Sequence, residues 1–457
     1  MLTPSHGAQE YGQFAPVRQS KRSTQVYLLS HIEEIFTVAM LYYSTMALSH
    51  LMGGESDGLA AAGGNQLSFA VQAAFYLVAS FLIALRWRTF IRCAWNARWV
   101  LLLVLFAATS TIWSQHPLVT LRHSVVMLAS TAFGIYFGSR FTVPQQLRLV
   151  GWTCALLVFT SSFMGIFLPQ YGIDHLWTPR AWIGAFSQKN SLARAMVLSA
   201  IVFYFARPPF GRWVRWVGIA GAVCLLVLSK SATGIVVLAL MAVTLPLYRL
   251  VRTRITFALP VFILTSVAAV ASGLLYYTVL PSLLGVLHRD STLTGRTEVW
   301  HAILLSISKR PWFGYGFNAF WNAQGEFSSI VQQVNWSVPS GHNGFLDITV
   351  DLGILGLVVF VIGYVDLWHR ALRLLRKTAG VVPTWLCTYL AFMFLYSLTE
   401  STFFHQNNIF WILYASTAVC IPHPVRIPSG NWSHERLPAA YAAQVPVASC
   451  PKDEFLI

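Results

Sequence analysis

Along most of the chain, apolar runs alternate with short polar breaks. A spanning helix needs about 20 apolar residues to cover the hydrocarbon core, and that yardstick predicts twelve spans, at approximately 26–50, 67–85, 99–113, 119–138, 147–168, 190–206, 212–229, 231–250, 256–280, 344–365, 383–399 and 406–421. The expected fold is an all-α polytopic membrane protein. Two boundaries are tight: Ser229-Lys-Ser-Ala-Thr-Gly234 separates spans 7 and 8, and a few residues including Pro117 separate spans 3 and 4. The longest polar interval, residues 281–343, lies between spans 9 and 10. Within it Val299, Ile303 and Ile307 recur at helical spacing before Pro311, Gly314 and Gly316, which predicts a surface helix from Thr297 to Lys309 ended by a turn. The polar ends, 1–25 and 422–457, are expected to be disordered tails around one transmembrane domain, 26–421.

Composition agrees: 56% of the 457 residues are apolar and only 10% charged, whereas a soluble domain carries about 25% charge. The net charge of +15 does not point to nucleic acid, because the cations lie mostly in short loops between apolar runs, at 86–98, 140–148, 207–215, 249–254 and 370–377 and in both tails. That asymmetry places both termini in the cytoplasm. The first apolar run lacks a small-residue cleavage pattern, so it is expected to remain as span 1. The cysteines have no CxxC spacing, and neither a disulfide framework nor a metal site is expected.

The orientation turns the 281–343 loop outward, into the periplasm of a Gram-negative cell. Nine cations break the inward trend: Arg122, Arg180, Lys189, Arg194, Lys230, Arg289, Arg296, Lys309 and Arg310. Gathered on one outward face they would meet an anionic ligand; singly, each is accounted for by lipid headgroups or loop solvation. At the end of the loop, Ser340-Gly-His-Asn-Gly-Phe-Leu346 runs into span 10, so His342 and Asn343 stand at a helix entrance. There unpaired N–H groups and the macrodipole favour an anion, and a histidine titrating near neutrality suits a general base. Asn343, Asp347 and Asp351 share one helix edge; Asp347 or Asp351 could orient His342 or act as base instead. Arg296 offers a bidentate fork for phosphate. Lys230 sits between two serines in an outward turn, and the stretch from Trp177 through Arg180 to Lys189 and Asn190 joins aromatic surface to cations. Glu33 and Glu34 within span 1 mark an interior ion-pair site or a later start of the span.

Gly295-Arg296 with Trp300, then Pro311-Trp-Phe-Gly314-Tyr-Gly316, His342-Asn343-Gly-Phe-Leu346 and Gly353-Ile-Leu-Gly356 closely resemble the signature of the O-antigen ligase and polymerase (Wzy-type) superfamily. The Trp113-Ser turn, the Gly184 to Asn190 segment and Leu228-Ser-Lys-Ser-Ala-Thr233 look most like its exopolysaccharide-polymerising, ExoQ-like branch. The resemblance implies a metal-independent, GT-C-like inner-membrane glycosyltransferase that needs no cofactor. It would join undecaprenyl-pyrophosphate-linked oligosaccharides, alongside a copolymerase or export complex. His342 would be the base, with Asn343 and Asp347 beside it. Arg296 would bind pyrophosphate, and the reading of outward cations and segments adds Lys230, Arg180, Lys189, Asn190 and Arg289 as further candidate binding residues. Many ligases of the family carry an arginine where this chain has Ala232. Transfer to a lipid A core or other acceptor is the alternative product, and transport of the lipid-linked unit a third reading.

Overall fold

The structure, a computed structural model, describes residues 21–52, 66–175, 178–206, 210–253, 296–321 and 340–421. The predicted span 256–280, both tails to residue 20 and from 422, Trp177, Arg289 and most of the long loop lie outside the described residues. Every other predicted span coincides with a helix. In chain order the described helices, including three that match no predicted span, are α1 (Lys21–Tyr43), α2 (Gln66–Leu85), α3 (Trp87–Ala94), α4 (Arg98–Thr109), α5 (Pro117–Arg140), α6 (Val143–Phe167) and α7 (Pro169–Gly172). A two-strand ribbon follows, β1 (Ile173–Asp174) antiparallel to β2 (Ala181–Trp182). Then come α8 (Lys189–Phe205), α9 (Arg212–Leu228), α10 (Ala232–Thr253), α11 (Arg296–Lys309), α12 (Gly344–Lys377), α13 (Val381–Ser397) and α14 (Ile409–Cys420). The segments Ser68–Leu85, Trp87–Ile112, Pro117–Arg140, Val143–Phe167 and Gly344–Lys377 are long and apolar enough to cross a membrane, and Ala232–Pro246, Val381–Ser397 and Ile409–Cys420 are shorter apolar helices.

α14 is buried along its whole length and forms the axis of the packing. It lies against α5, where Gly134 and Gly138 remove side chains at the crossing: a Cβ at either would come within 2.8 Å of the α14 backbone. Small residues four apart are the usual way for membrane helices to close up, since hydrocarbon gives no hydrophobic drive between them. A polar pair seals this crossing, Trp411 Nε1 donating to Thr131 Oγ1 at 2.8 Å, and a second ties α14 to α6, Ser416 Oγ donating to Gln146 Oε1 at 2.8 Å.

Span 1 holds an interior ion pair: Glu33 is buried and accepts from Arg86, Arg140 and Tyr136, joining α1 to the α2–α3 junction and the end of α5. Glu34 pairs with Arg148 of α6. Among the described residues Cys93 is disulfide-bonded, although the cysteine spacing led to no disulfide being expected, and Cys154, Cys224, Cys387 and Cys420 are free.

α12 is 34 residues long and breaks at Gly353, with φ +69° and ψ −174°. The break frees backbone groups at membrane depth, where each must find a partner. The Pro311 to Gly316 motif supplies them. Tyr315 N donates to Val350 O (3.0 Å), Gly316 N to Asp351 O (2.9 Å), and Ile354 N donates to Pro311 O (2.7 Å). Only glycine fits the break, because a Cβ at 353 would lie 2.2 Å from the Trp312 carbonyl oxygen. The 110–117 turn closes over the same motif: Trp113 Nε1 donates to Phe313 O at 3.0 Å, and Phe317 N to Ser110 Oγ at 2.9 Å. The motif expected to end a surface helix therefore also wedges the kink of α12.

Candidate active site

The short first limb of α12 carries the site. Asn343 is its N-cap, its side chain accepting from Phe345 N at 3.0 Å and Leu346 N at 3.3 Å. This satisfies N–H groups that a helix start leaves unpaired. Its Nδ2 donates to Leu398 O at 3.3 Å, tying the cap to the segment that follows α13. One residue earlier, His342 takes a left-handed conformation, φ +48°, which costs energy for any residue with a Cβ and persists only when neighbours over-determine it. They do so here. Gly341 N donates to Asp347 Oδ1 at 2.8 Å, and Trp300 Nε1 of α11 donates to Gly341 O at 2.7 Å. A Cβ at 341 would sit 2.6 Å from Asp347 Oδ1, so a larger residue would displace the carboxylate that holds the turn.

The carboxylate that meets the imidazole is Glu400. Its Oε2 lies 3.2 Å from His342 Nδ1, and its Oε1 accepts from Asn190 Nδ2 at 2.9 Å. Asn190 Oδ1 in turn accepts from Ser231 Oγ at 3.0 Å. Imidazole, carboxylate, amide and hydroxyl thus form one chain across the start of α12, the 398–408 connection, the start of α8 and the α9–α10 turn. With the Nδ1 proton donated to the carboxylate, the basic lone pair of His342 is on Nε2. This is the arrangement in which a carboxylate fixes the tautomer and stabilises the imidazolium formed after proton transfer.

Glu400 is held by an irregular stretch that runs inward. Residues 400–404, 406 and 407 are buried, and Phe404 and Asn407 have φ of +55° and +50°. Such backbone is tolerated at membrane depth only where protein encloses it or it lines a cavity. Both conditions hold: His342, Glu400, Ser401, His405 and Arg194 wall a cavity of about 100 Å³, together with Thr45, Met46, Ser49 and residues 186–188. Arg194 Nη1 donates to Ser401 O at 2.8 Å, and its guanidinium lies 4.9 Å from the centre of the Phe410 ring. The far wall is pinned by Leu48 N donating to Ala185 O at 2.6 Å and Ile409 N to Ser44 O at 2.7 Å.

The structure brings together His342, Asn343, Asn190 and the Lys230 turn. Lys230 is exposed, with φ +53°, beside the Ser231 that bonds Asn190. Lys189 opens α8 next to Asn190. Arg296 opens α11, one turn before Trp300. Asp347 joins two walls, accepting from Gly341 N and from Ser401 Oγ. Asp351 faces the kink motif, its Oδ2 accepting from Asn318 N at 3.0 Å. Arg180 is exposed in the turn of the β1–β2 ribbon, φ +67°, whose return strand leads into residues 183–188. Glu400 is the residue that motif reading missed. The available signal was Thr399-Glu-Ser-Thr402, an acidic polar break between two apolar runs on the side of the bilayer predicted for His342.

The described helices form a polytopic bundle with a carboxylate-backed histidine at a helix entrance, a pairing chemically suited to general acid–base work. Residues 217–361 match the O-antigen ligase family. The chain is also 26% identical over 361 residues, 75% of its length and 81% of the relative's, to the exopolysaccharide production protein ExoQ of Rhizobium meliloti (strain 1021). Both matches bear out the motif resemblance: the chain is a helical membrane protein similar to the O-antigen ligases over residues 217–361 and to ExoQ over three quarters of its length. The family match covers Lys230, Arg296, His342 and Asp347, while Asn190 and Glu400 lie outside it.

Proposed function

We propose that the chain polymerises undecaprenyl-pyrophosphate-linked oligosaccharide repeat units into exopolysaccharide at the periplasmic face of the inner membrane, with both termini cytoplasmic. The observation that carries this reading is the 3.2 Å contact of His342 Nδ1 with Glu400 at the mouth of α12, joined to the likeness to ExoQ. His342 Nε2 removes the proton of an acceptor sugar hydroxyl as that oxygen bonds to the anomeric carbon of the donor. The bond between that carbon and the diphosphate oxygen breaks, and its electron pair leaves with the lipid diphosphate. Charge grows on the leaving group, and cations stabilise it more in the transition state than before it. Arg296, Lys230, Lys189, Arg180 and Arg289 are the candidates for that role. The donor carries its own activation, so the step consumes no nucleotide, and a copolymerase is the partner expected to set chain length.

The description of the matched family, O-antigen ligase, favours the second reading, transfer of finished glycan to a separate acceptor. Purified protein in nanodiscs, given one lipid-diphosphate-linked repeat unit, separates the two. A polymerase yields long lipid-linked glycan and free lipid diphosphate, and His342→Ala yields neither. A ligase acts only when a distinct acceptor is added. A transporter has no activity without a second compartment. Normal product from His342→Ala removes the histidine from the chemistry, and no product from the native protein with any acceptor sinks the enzyme reading.

A further inference from the structure

A second and larger space lies on the other side of the wall that bounds the imidazole cavity. Thr45, Met46 and Ser49 face the cavity, whereas Ala47 and Leu48 face a groove of about 660 Å³ that runs down α1 between α2 and α6. The wall alternates because it is not helical: Met46 and Leu48 both have positive φ, +62° and +64°. Below it the lining is apolar and aromatic, with Val38, Ala39, Tyr42, Phe75, Trp152 and Leu156. Ile35 and Trp152 are 70% and 50% exposed, so the groove opens sideways into the bilayer. At its foot the Glu34–Arg148 ion pair, with His31 Nδ1 3.8 Å from Glu34, closes it to hydrocarbon. From Glu34 to Tyr43 along α1 the groove is about 14 Å long at 1.5 Å per residue.

We infer that this groove seats the hydrocarbon chain of the lipid-linked substrate, so that the diphosphate end emerges over the 45–49 wall beside His342. The assignment rests on the proposed function. Adjacency to the site favours a substrate chain over a bulk lipid: the one segment 45–49 separates the two spaces, turning three residues to the cavity and two to the groove, and the groove ends at an ion pair on one side and at this wall on the other. Because bilayer lipid is as apolar as the groove, leaving it gains the chain little free energy. The effect is positional, fixing where the anomeric carbon stands, and displacement by about 1 Å costs on the order of a hundredfold in rate.

The test uses substrate chain length as its readout. Ala39→Trp fills the groove from α1 at an exposed position, Leu156→Trp fills it from α6, and Ile32→Trp, on α1 outside the lining, is the control. Each full-length variant is assayed with the same diphosphate-linked oligosaccharide on a long polyprenyl chain and on a chain of two or three isoprene units. Both groove variants should lose about tenfold or more in turnover on the long chain and stay within about twofold on the short one, with Ile32→Trp unchanged on both. Equal loss on both substrates, or no loss on the long one, as when an ordinary phospholipid occupies the groove, overturns the assignment. If one groove variant fails to fold, the other still decides the question. Inactivity of the native protein on both substrates would instead fail the proposed function.

Discussion

Glu400→Gln is the sharpest perturbation of the site. The amide has the shape of the carboxylate and can still accept from Asn190, which donates to Oε1 at 2.9 Å. With that oxygen committed, the new NH₂ group faces His342 Nδ1, where the carboxylate accepted at 3.2 Å. Two donors cannot pair, so the imidazole either loses the bond or switches tautomer and places its proton on Nε2, the atom required to be basic. Loss of a bond to a charged group is worth about 1.5–3 kcal/mol, and a wrong tautomer on a serine-protease histidine costs about 10⁴-fold in turnover. Turnover should therefore fall by roughly 10² to 10⁴. KM for the lipid-linked donor should stay near its native value, because neither group is assigned to hold the diphosphate. Initial rates of lipid diphosphate release in nanodiscs give both parameters, and size exclusion with thermal melting confirms an intact fold. Asn190→Ala, which removes the support behind the carboxylate, should show a smaller loss of about tenfold. Turnover of Glu400→Gln within about threefold of native would refute the assignment of the imidazole–carboxylate pair to catalysis.

Two further outcomes follow from the packing. Glu33→Ala leaves Arg86 and Arg140 facing each other without their shared carboxylate, and breaking such a pair costs about 3–5 kcal/mol; a thermal melt in detergent should fall accordingly, and an unchanged melt contradicts the role of this cluster. Gly353→Val sets a Cβ where the Trp312 carbonyl oxygen is only 2.2 Å away and should lose more than about 4 kcal/mol of stability, read as loss of monodisperse protein.

The apolar runs were legible because length and hydrophobicity alone specify a spanning helix, and the helix at Arg296–Lys309 because Val299, Ile303 and Ile307 keep its period. His342 and Asn343 were legible as a polar pair at the end of a loop and the start of an apolar run. The features that escaped share a different physics. Glu400 sits in backbone with no period, and the fold of 398–408 is set by contacts from α8 and α12, Arg194 on Ser401 and Asp347 on Ser401, with Ser44 just after α1 holding Ile409 at its far end. The Pro311 to Gly316 motif reads locally as a helix stop. Its second task, completing the hydrogen bonds of a kink some 40 residues later, appears only when the carbonyls freed at Gly353 are followed to their partners. Helical backbone inside a membrane pairs with itself and can be read from its own stretch of sequence. Broken backbone there must borrow partners from elsewhere in the chain. Both breaks, at Gly353 and at 398–408, flank the first limb of α12, so the residues hardest to find in the sequence are those that hold His342 in place.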